Sequence, residues 1–334
     1  MNPKQIKVVQ YGLGPIGLQI TRYLLERKIF TIVGAIDIDP RKVGKDLGTV
    51  AGLNKKLRVR VSSDANKVLK NSHAGIVVLT TASSLKTIKP QILQVIFHGK
   101  NVVSTCEELV YPWLTNPQIA KEIDLTAKKK RVSVVSTGVN PGFLMDFLPM
   151  AVTAVCKEVN NITVERIQNA KYRRIPFQQK IGAGLTINEF NRKVKDGTLR
   201  HVGLTESVQL IASKLGWKLD KTQDIIEPVV AAKNVSAGKM KIAKGNALGV
   251  QQTGLGIKNN EEKIKLLFRA TIGEESPRDR IIIDGLPPID MTIKNGVNGD
   301  IATCAITMNA IPIVINAKPG LRTMADVEPI SCFI

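Results

Sequence analysis

A run of six residues near the amino terminus, "GLGPIG", constrains the fold of this chain more than any other feature. It places Gly12, Gly14 and Gly17 in the G-x-G-x-x-G spacing, directly after the apolar run "IKVVQY". Each glycine has a task at a strand-to-helix junction. Gly12 permits the tight turn, Gly14 lets a pyrophosphate approach the backbone, and Gly17 lets the helix lie close to the strand. Pro15 and Ile16 open that helix, whose first N–H groups then face the phosphates, and they count with the glycines as cofactor-binding candidates. Ile16, Ile20, Tyr23 and Leu24 recur at i, i+4, i+7 and i+8, so one helix face packs on a sheet. The second apolar run ends at Asp37, 20 residues after Gly17. A carboxylate there accepts hydrogen bonds from the adenosine ribose and favours NAD. Arg41 and Lys42 follow closely and could meet a 2′-phosphate, so NADP stays open beside NAD.

The first 140 residues alternate short β-branched runs with amphipathic stretches, the pattern of βαβ units on a parallel sheet. The expected strands are "IKVVQY", "TIVGAID", "VRVSS", "GIVVLTT", "NVVSTC" and "VSVVSTG". After "STGVNPGF" the texture changes to strands such as "NITVERIQ", "KLLFRATI", "RIIIDG" and "DMTIKNG", with helices around 186–196 and 205–215. "TINE" is a capping-box signature for the first of these helices, with Thr186 as cap and Glu189 three residues on. The late run "GDIATCAITMNAIPIVINA" reads as a long helix with Pro312 near its end. The expected architecture is α/β: a Rossmann doubly wound parallel sheet over 1–142, joined by 300–334, and an α+β substrate-binding and dimerisation domain over 143–299. Its antiparallel sheet offers the face for a homodimer.

In an open parallel sheet, ligands gather outside the carboxyl ends of the strands. The fourth strand ends in Thr80 and Thr81, from which a doubly wound fold reaches toward the ribose and nicotinamide. The fifth ends in Glu107 and Glu108, and adjacent residues there point in opposite directions, so one of them faces the cleft. The sixth leads into Asn140, Pro141 and Gly142, where Asn140 is placed to orient a substrate or the nicotinamide amide. Of three histidines, His201 alone stands where it could line a substrate pocket. "RIQNAKYRRIPFQQKIGAGLT" adds Tyr172, Arg173, Arg174, Gln178 and Lys180 as groups able to bind a substrate carboxylate.

Composition closes off other classes. The formal charge of +20, from 48 basic and 28 acidic residues, raises the question of nucleic acid. The basic runs, however, are spread over the whole chain, and aromatic residues for base stacking make up only 4%. The same field attracts phosphate-bearing cofactors and carboxylates. Neither a leader nor an unbroken apolar span of membrane length is expected, and a cytoplasmic protein with no membrane partner fits. Cys106, Cys156, Cys304 and Cys332 form no CxxC pair, which argues against a disulfide framework and structural zinc. No H-x-x-x-H pair or Ser-His-Asp constellation favours metal chemistry or hydrolysis.

Four stretches resemble the 2,4-diaminopentanoate dehydrogenases and related amine dehydrogenases: "VVQYGLGPIG", "VGAIDIDPRKVGKDLG", "STCEELVYPW" with "STGVNPGFLMD", and "GDIATCAITMNAIPIVINAKPGL". The resemblance implies a glutamate at the fifth strand end that holds ammonia or the substrate amine and handles its proton. Many relatives of the fold carry "EKP" there, and aligning it on "EEL" selects Glu108. Asn309, in the last of the four stretches, joins the implied cofactor-binding set. The implied reaction is reversible oxidative deamination of a small amine, or reductive amination of a ketone with ammonia. A carboxylate suits it because an amine loses hydride only with its nitrogen lone pair free. The first domain is also similar to dihydrodipicolinate reductase, so an imine reductase is the enzymatic alternative, although the adjacent histidine pair of those reductases is missing. A nucleotide-sensing binding protein is the alternative of another class.

Overall fold

The computed structural model describes residues 5–171, 173, 175–237 and 240–333. It divides into two compact units, residues 1–143 with 298–334, and residues 144–297. In the first, β1 (Ile6–Tyr11), α1 (Pro15–Leu25), β2 (Phe30–Ile36), α2 (Leu47–Val50), β3 (Val61–Ser62), α3 (Ala65–Asn71), β4 (Ile76–Leu79), α4 (Leu85–Phe97), β5 (Asn101–Ser104), α5 (Pro117–Lys129) and β6 (Ser133–Ser136) follow one another. The strands are short and apolar on both faces; all four residues of β4 and all four of β6 are buried, as a parallel sheet covered by helices requires. Helix α1 starts with Pro15 in its first turn and buries Gly17, Ile20, Thr21 and Leu24.

The second unit runs through α6 (Phe147–Val152), β7 (Glu158–Asn169), α7 (Ile175–Lys180), α8 (Ile187–Lys195), α9 (Leu204–Lys214), β8 (Lys221–Val230), β9 (Val235–Ala237), β10 (Met240–Ile242), β11 (Ala247–Lys258), β12 (Glu261–Thr271), β13 (Arg278–Leu286) and β14 (Ile289–Lys294). Six of these strands form one sheet in the order β14-β13-β7-β12-β11-β8, antiparallel except where β12 runs parallel to β7. The capping box forms as its spacing predicts: Thr186 Oγ1 accepts from Glu189 N, and Glu189 Oε2 accepts from Thr186 N at 2.9 Å. Helix α9 lies on β11 where the strand carries glycines. A Cβ on Gly254 would stand 2.9 Å from Leu204 Cγ, and one on Gly256 would stand 2.9 Å from Val208 Cγ1.

The chain then returns to the first unit with α10 (Gly299–Asn316) and β15 (Gly320–Arg322). Asn298 caps α10, its Oδ1 accepting from Asp300 N and Ile301 N. β15 adds to β6, giving an all-parallel seven-stranded sheet in the order β15-β6-β5-β4-β1-β2-β3. By length and mean hydropathy α10 matches a membrane-crossing helix, although Asp300, Thr303, Thr307 and Asn309 break its apolar run. It nevertheless packs on α1 and buries Cys304, Thr307, Met308, Ala310, Ile311 and Val314, as a core helix does.

Candidate active site

The glycine turn is built by mutual exclusion. Gly12 has φ +94°, and a Cβ on Gly17 would lie 2.0 Å from the Gly12 carbonyl oxygen, so neither position has room for a side chain. Around Gly14 the space is open for 4 Å in the direction of a Cβ. Gln10, fully buried within β1, donates to Gly12 O at 3.0 Å and to Thr80 Oγ1 at 2.9 Å, and Thr80 Oγ1 donates to Gly12 O at 2.9 Å. Thr80 thus staples the end of β4 to the turn, whereas Thr81 is exposed and donates to Gln91 Oε1 at 2.6 Å. Gln10 is a structural contributor the motif does not name; its trace in the sequence is a polar side chain at the apolar end of "IKVVQY".

Asp37 ties β2 to the same turn. Its Oδ2 accepts from Leu13 N at 2.7 Å, and its Oδ1 accepts from Asp39 N at 2.8 Å. Lys42 Nζ stands 3.3 Å from Asp37 Oδ2, while Arg41 forks onto Asp39. Pro15 is exposed at the start of α1, and the Ile16 carbonyl accepts weakly from Cys304 Sγ of α10.

At the next strand ends two loops are laced together. Ser136 Oγ contacts Cys106 O at 2.7 Å and Ser104 O at 3.0 Å, which holds the exit of β6 against the segment that carries both glutamates. Residues 107–109 form one turn of 3₁₀ helix. Glu108 sends Oε2 to the backbone N–H of Leu85, 2.8 Å away, so this carboxylate sits at the amino terminus of α4. Glu107 is half-buried beside it. The Cys106 thiol is buried, and that burial pushes its pKa far up, so it stays protonated.

After β6 the loop closes tightly: a Cβ on Gly142, at φ +120°, would lie 2.5 Å from Gly138 N, and Val139 N donates to Thr303 Oγ1 of α10. Here Thr137 Oγ1 and both amide atoms of Asn140 are buried with no hydrogen-bond partner, and so is Asn309 Oδ1 on α10. Buried polar atoms are rarely left in that state in a folded protein. Such atoms fit a ligand rich in donors and acceptors, and with the open face of Gly14 they suit a dinucleotide with its carboxamide end. Nothing in "STGVNPGF" marks Thr137, since threonine carries no motif of its own.

In the second unit His201 stacks on Phe268 with ring centroids 4.3 Å apart, and its backbone is held by Gln252, which accepts from His201 N and donates to His201 O. Burial, and then the charges of Lys180, Arg166 and Arg200, hold the imidazole pKa down to about 3, so the ring is neutral near pH 7. Its Nε2 is buried and unpartnered. Gln252 also donates to Asp224, whose carboxyl burial raises above the ordinary range. Arg166, 2% exposed, pairs with Asp279 at 2.7 Å and was not singled out beforehand, since a charge in a strand reads as surface. Gln178 donates both amide hydrogens to the carbonyls of Ala170 and Lys171. Arg173 donates to Gln168 Oε1 and lies over the Phe177 ring at 4.1 Å. Tyr172 and Arg174 lie outside the described residues. Among the described residues no group of three His, Cys, Asp or Glu side chains could hold a metal ion.

Comparison with known proteins follows the same lines. Residues 143–334 match the 2,4-diaminopentanoate dehydrogenase C-terminal domain. The chain is 35% identical, over 97% of its length and 93% of the relative's, to 2,4-diaminopentanoate dehydrogenase of Acetoanaerobium sticklandii. Its fold is similar to that of an amine dehydrogenase from Mycobacterium smegmatis, with a TM-score of 0.86 at 24% identity, covering 98% of this chain and 97% of that one. A dipicolinate-bound dihydrodipicolinate reductase from Paenisporosarcina shares the fold more distantly, with a TM-score of 0.51 at 10% identity over 94% of this chain and 96% of that one.

Proposed function

The chain belongs to the 2,4-diaminopentanoate dehydrogenase family, and from that premise we propose that it catalyses the reversible oxidative deamination of a small amine bearing a carboxylate, such as 2,4-diaminopentanoate. The family's enzymes are oxidoreductases that act on CH–NH2 donors with NAD(P). When bound, the nicotinamide supplies the hydride acceptor, or the donor in the reverse direction.

The proposed cofactor contacts are the backbone of Gly12, Gly14, Pro15, Ile16 and Gly17, with Asp37 and Arg41 toward the ribose, Thr80 and Thr81 further along, and Asn309 toward the carboxamide. Asn140 orients substrate or carboxamide. Glu108 is the proposed proton carrier: held at Oε2 by Leu85 N, its carboxylate takes the ammonium proton of the substrate so that the nitrogen lone pair is free to expel hydride, and in reverse it returns that proton to the newly formed amine. Anchoring by a helix amide fixes a carboxylate without a rotamer search, which favours a preorganised base. His201, Arg173 and Gln178 of the second unit are proposed to bind substrate, with Tyr172 a candidate from the sequence alone; the basic field at His201 supports a carboxylate there.

The observation that carries this reading is the set of orphaned buried polar atoms on Thr137 and Asn140, in a loop laced to the segment of Glu108. The test is NADH oxidation by a panel of ketones and keto acids with and without ammonia. Oxidation that needs ammonia is expected. Turnover independent of ammonia would turn the assignment toward imine reduction.

Two further properties belong to the same proposal. The outer face of the six-stranded sheet, where Ile225, Thr253 and Leu267 stand side by side, is the proposed homodimer face, and light scattering tests it. Four cysteines with no disulfide among them suit a reducing cytoplasm.

A further inference from the structure

The turn after β2 carries two acids and two bases in six residues, Asp37 to Lys42, and the structure pairs them in an unequal way. Asp37 is occupied with structure: Leu13 N and Lys42 on Oδ2, Asp39 N on Oδ1. Lys42 bridges both acids, 3.3 Å from Asp37 and 3.5 Å from Asp39. Arg41 has a different partner. Its Nε and terminal nitrogen grip Asp39 Oδ1 and Oδ2 at 3.0 and 2.9 Å, and its own backbone N–H reaches Asp39 Oδ1 at 3.0 Å. The Arg41 side chain is 87% exposed and Asp39 only 18%, so the acid is the fixed jaw and the guanidinium the group able to swing.

We propose that Asp39 sets coenzyme preference: by clamping Arg41 it withholds the guanidinium from a 2′-phosphate and makes the chain favour NAD over NADP. This rests on the reading above that NAD(P) lies at the glycine turn. A 2′-phosphate entering here meets the Asp37 carboxylate, and the exposed Arg41 guanidinium, which could offset it, is already in a bidentate pair. Recruiting Arg41 would exchange one fork for another and leave Asp39 with only Lys42, which it shares with Asp37, beside a dianion. The Arg41 guanidinium holds the Asp39 carboxyl well below the usual carboxylate range, so the clamp stays charged through neutral pH. Lys42 cannot substitute without giving up its ion pair with Asp37, the carboxylate the phosphate would meet.

Calorimetric titration of the full chain with NADH and with NADPH, in the absence of substrate, tests this. Asp39→Asn keeps an oxygen for the Arg41 amide and for the turn but abolishes the charged fork; Asp39→Ser is a second variant of the same kind, and melting temperatures verify that each is folded. The wild type is expected to bind NADH about tenfold more tightly than NADPH, and Asp39→Asn to tighten NADPH about tenfold while NADH shifts less than about twofold. Adding Arg41→Ala should erase the gain. An unchanged NADH-to-NADPH ratio in both folded Asp39 variants, a gain that survives Arg41→Ala, or a wild type that prefers NADPH overturns the proposal while leaving the proposed function intact. A wild type that binds neither coenzyme overturns both.

Discussion

Glu108 combines two duties that substitution can separate. As a carboxylate on Leu85 N it completes the amino terminus of α4, and as a base it is proposed to move the amine proton. Glutamine keeps an oxygen for Leu85 N but cannot take up a proton; alanine loses both. Glu108→Gln and Glu108→Ala are therefore both expected to lower kcat by about 10²–10⁴-fold, while only alanine loses stability, by about 1–2 kcal/mol. Glu107→Gln should retain most activity; the reverse order in steady-state assays would move the base to Glu107. His201 makes a prediction of the opposite kind, about folding. Its pKa falls from 6.5 to about 3 in the native state, so the neutral ring contributes stability that is fully present above pH 6.5 and is lost as pH falls toward 3. Compared with His201→Phe, which keeps the stack on Phe268, the wild type should lose an extra 1.4 kcal/mol or so per pH unit below about 6.5 in urea denaturation. Asp224, raised by burial, takes up its proton first in the native state and gives the opposite trend, but it is present in both proteins and drops out of the comparison. Parallel curves for the two proteins would refute a buried neutral His201. The histidine itself was legible as a pocket candidate, but its neutrality was not, since Lys180, Arg166 and Phe268 come to it from distant parts of the chain.

At the scale of elements, glycine decides both what the sequence revealed and what it concealed. The strands β1, β2, β4, β5 and β6 were readable because each is a short, largely apolar and largely buried run bounded by turn residues. Two long strands of the second unit were not. β8, "KTQDIIEPVV", contains Pro228, which argues against a strand until one sees that β8 is the edge of its sheet, where a missing N–H is tolerated. β11, "ALGVQQTGLGIK", carries Gly249, Gly254 and Gly256, which weaken a strand pattern, yet it is a central strand paired on both sides. Its glycines are there to admit a helix: α9 approaches so closely that Leu204 and Val208 occupy the space of the missing Cβ atoms. Gly254→Ala should destabilise the protein by about 1–3 kcal/mol through overpacking, as measured by chemical denaturation. Leu204→Ala by itself leaves a cavity and costs about 2–5 kcal/mol. Because the two changes compensate in volume, the double variant should be more stable than the sum of the single losses by about 1 kcal/mol or more. Simple additivity would mean that the glycine serves something other than the helix approach.

At the scale of the molecule, the segment that matches the family's C-terminal domain, 143–334, does not coincide with a compact unit, because 298–334 folds with the first unit. This return was visible as an apolar run long enough for a helix, though the parallel strand β15 after it was not, since "GLR" is too short for any periodicity to register. Helix α10 lies against α1 and runs opposite to β6: Thr303, near its start, meets Val139 past the carboxyl end of β6, and the Val314 carbonyl accepts from Ser133 at the strand's beginning. Met308, Ile311, Val314 and Leu321 are all buried by it or by β15. At about 1.5–3 kcal/mol each, these four side chains together approach the whole stability of an ordinary domain, about 5–15 kcal/mol. A chain ending at Phe143 also leaves the edge of β6 unpaired, an invitation to aggregate. Residues 1–143 alone are therefore expected to be insoluble or unfolded. Residues 1–143 joined to 298–334 through a short Gly-Ser linker should instead fold and bind NADH, because Thr303 already lies beside Gly138 and Val139 and the two cut ends are only a few residues from that contact. Circular dichroism and NADH titration decide between them: soluble, coenzyme-binding protein from residues 1–143 alone would show that α10 and β15 are accessories to the parallel sheet, and failure of the linked form would show that the coenzyme site needs residues 144–297.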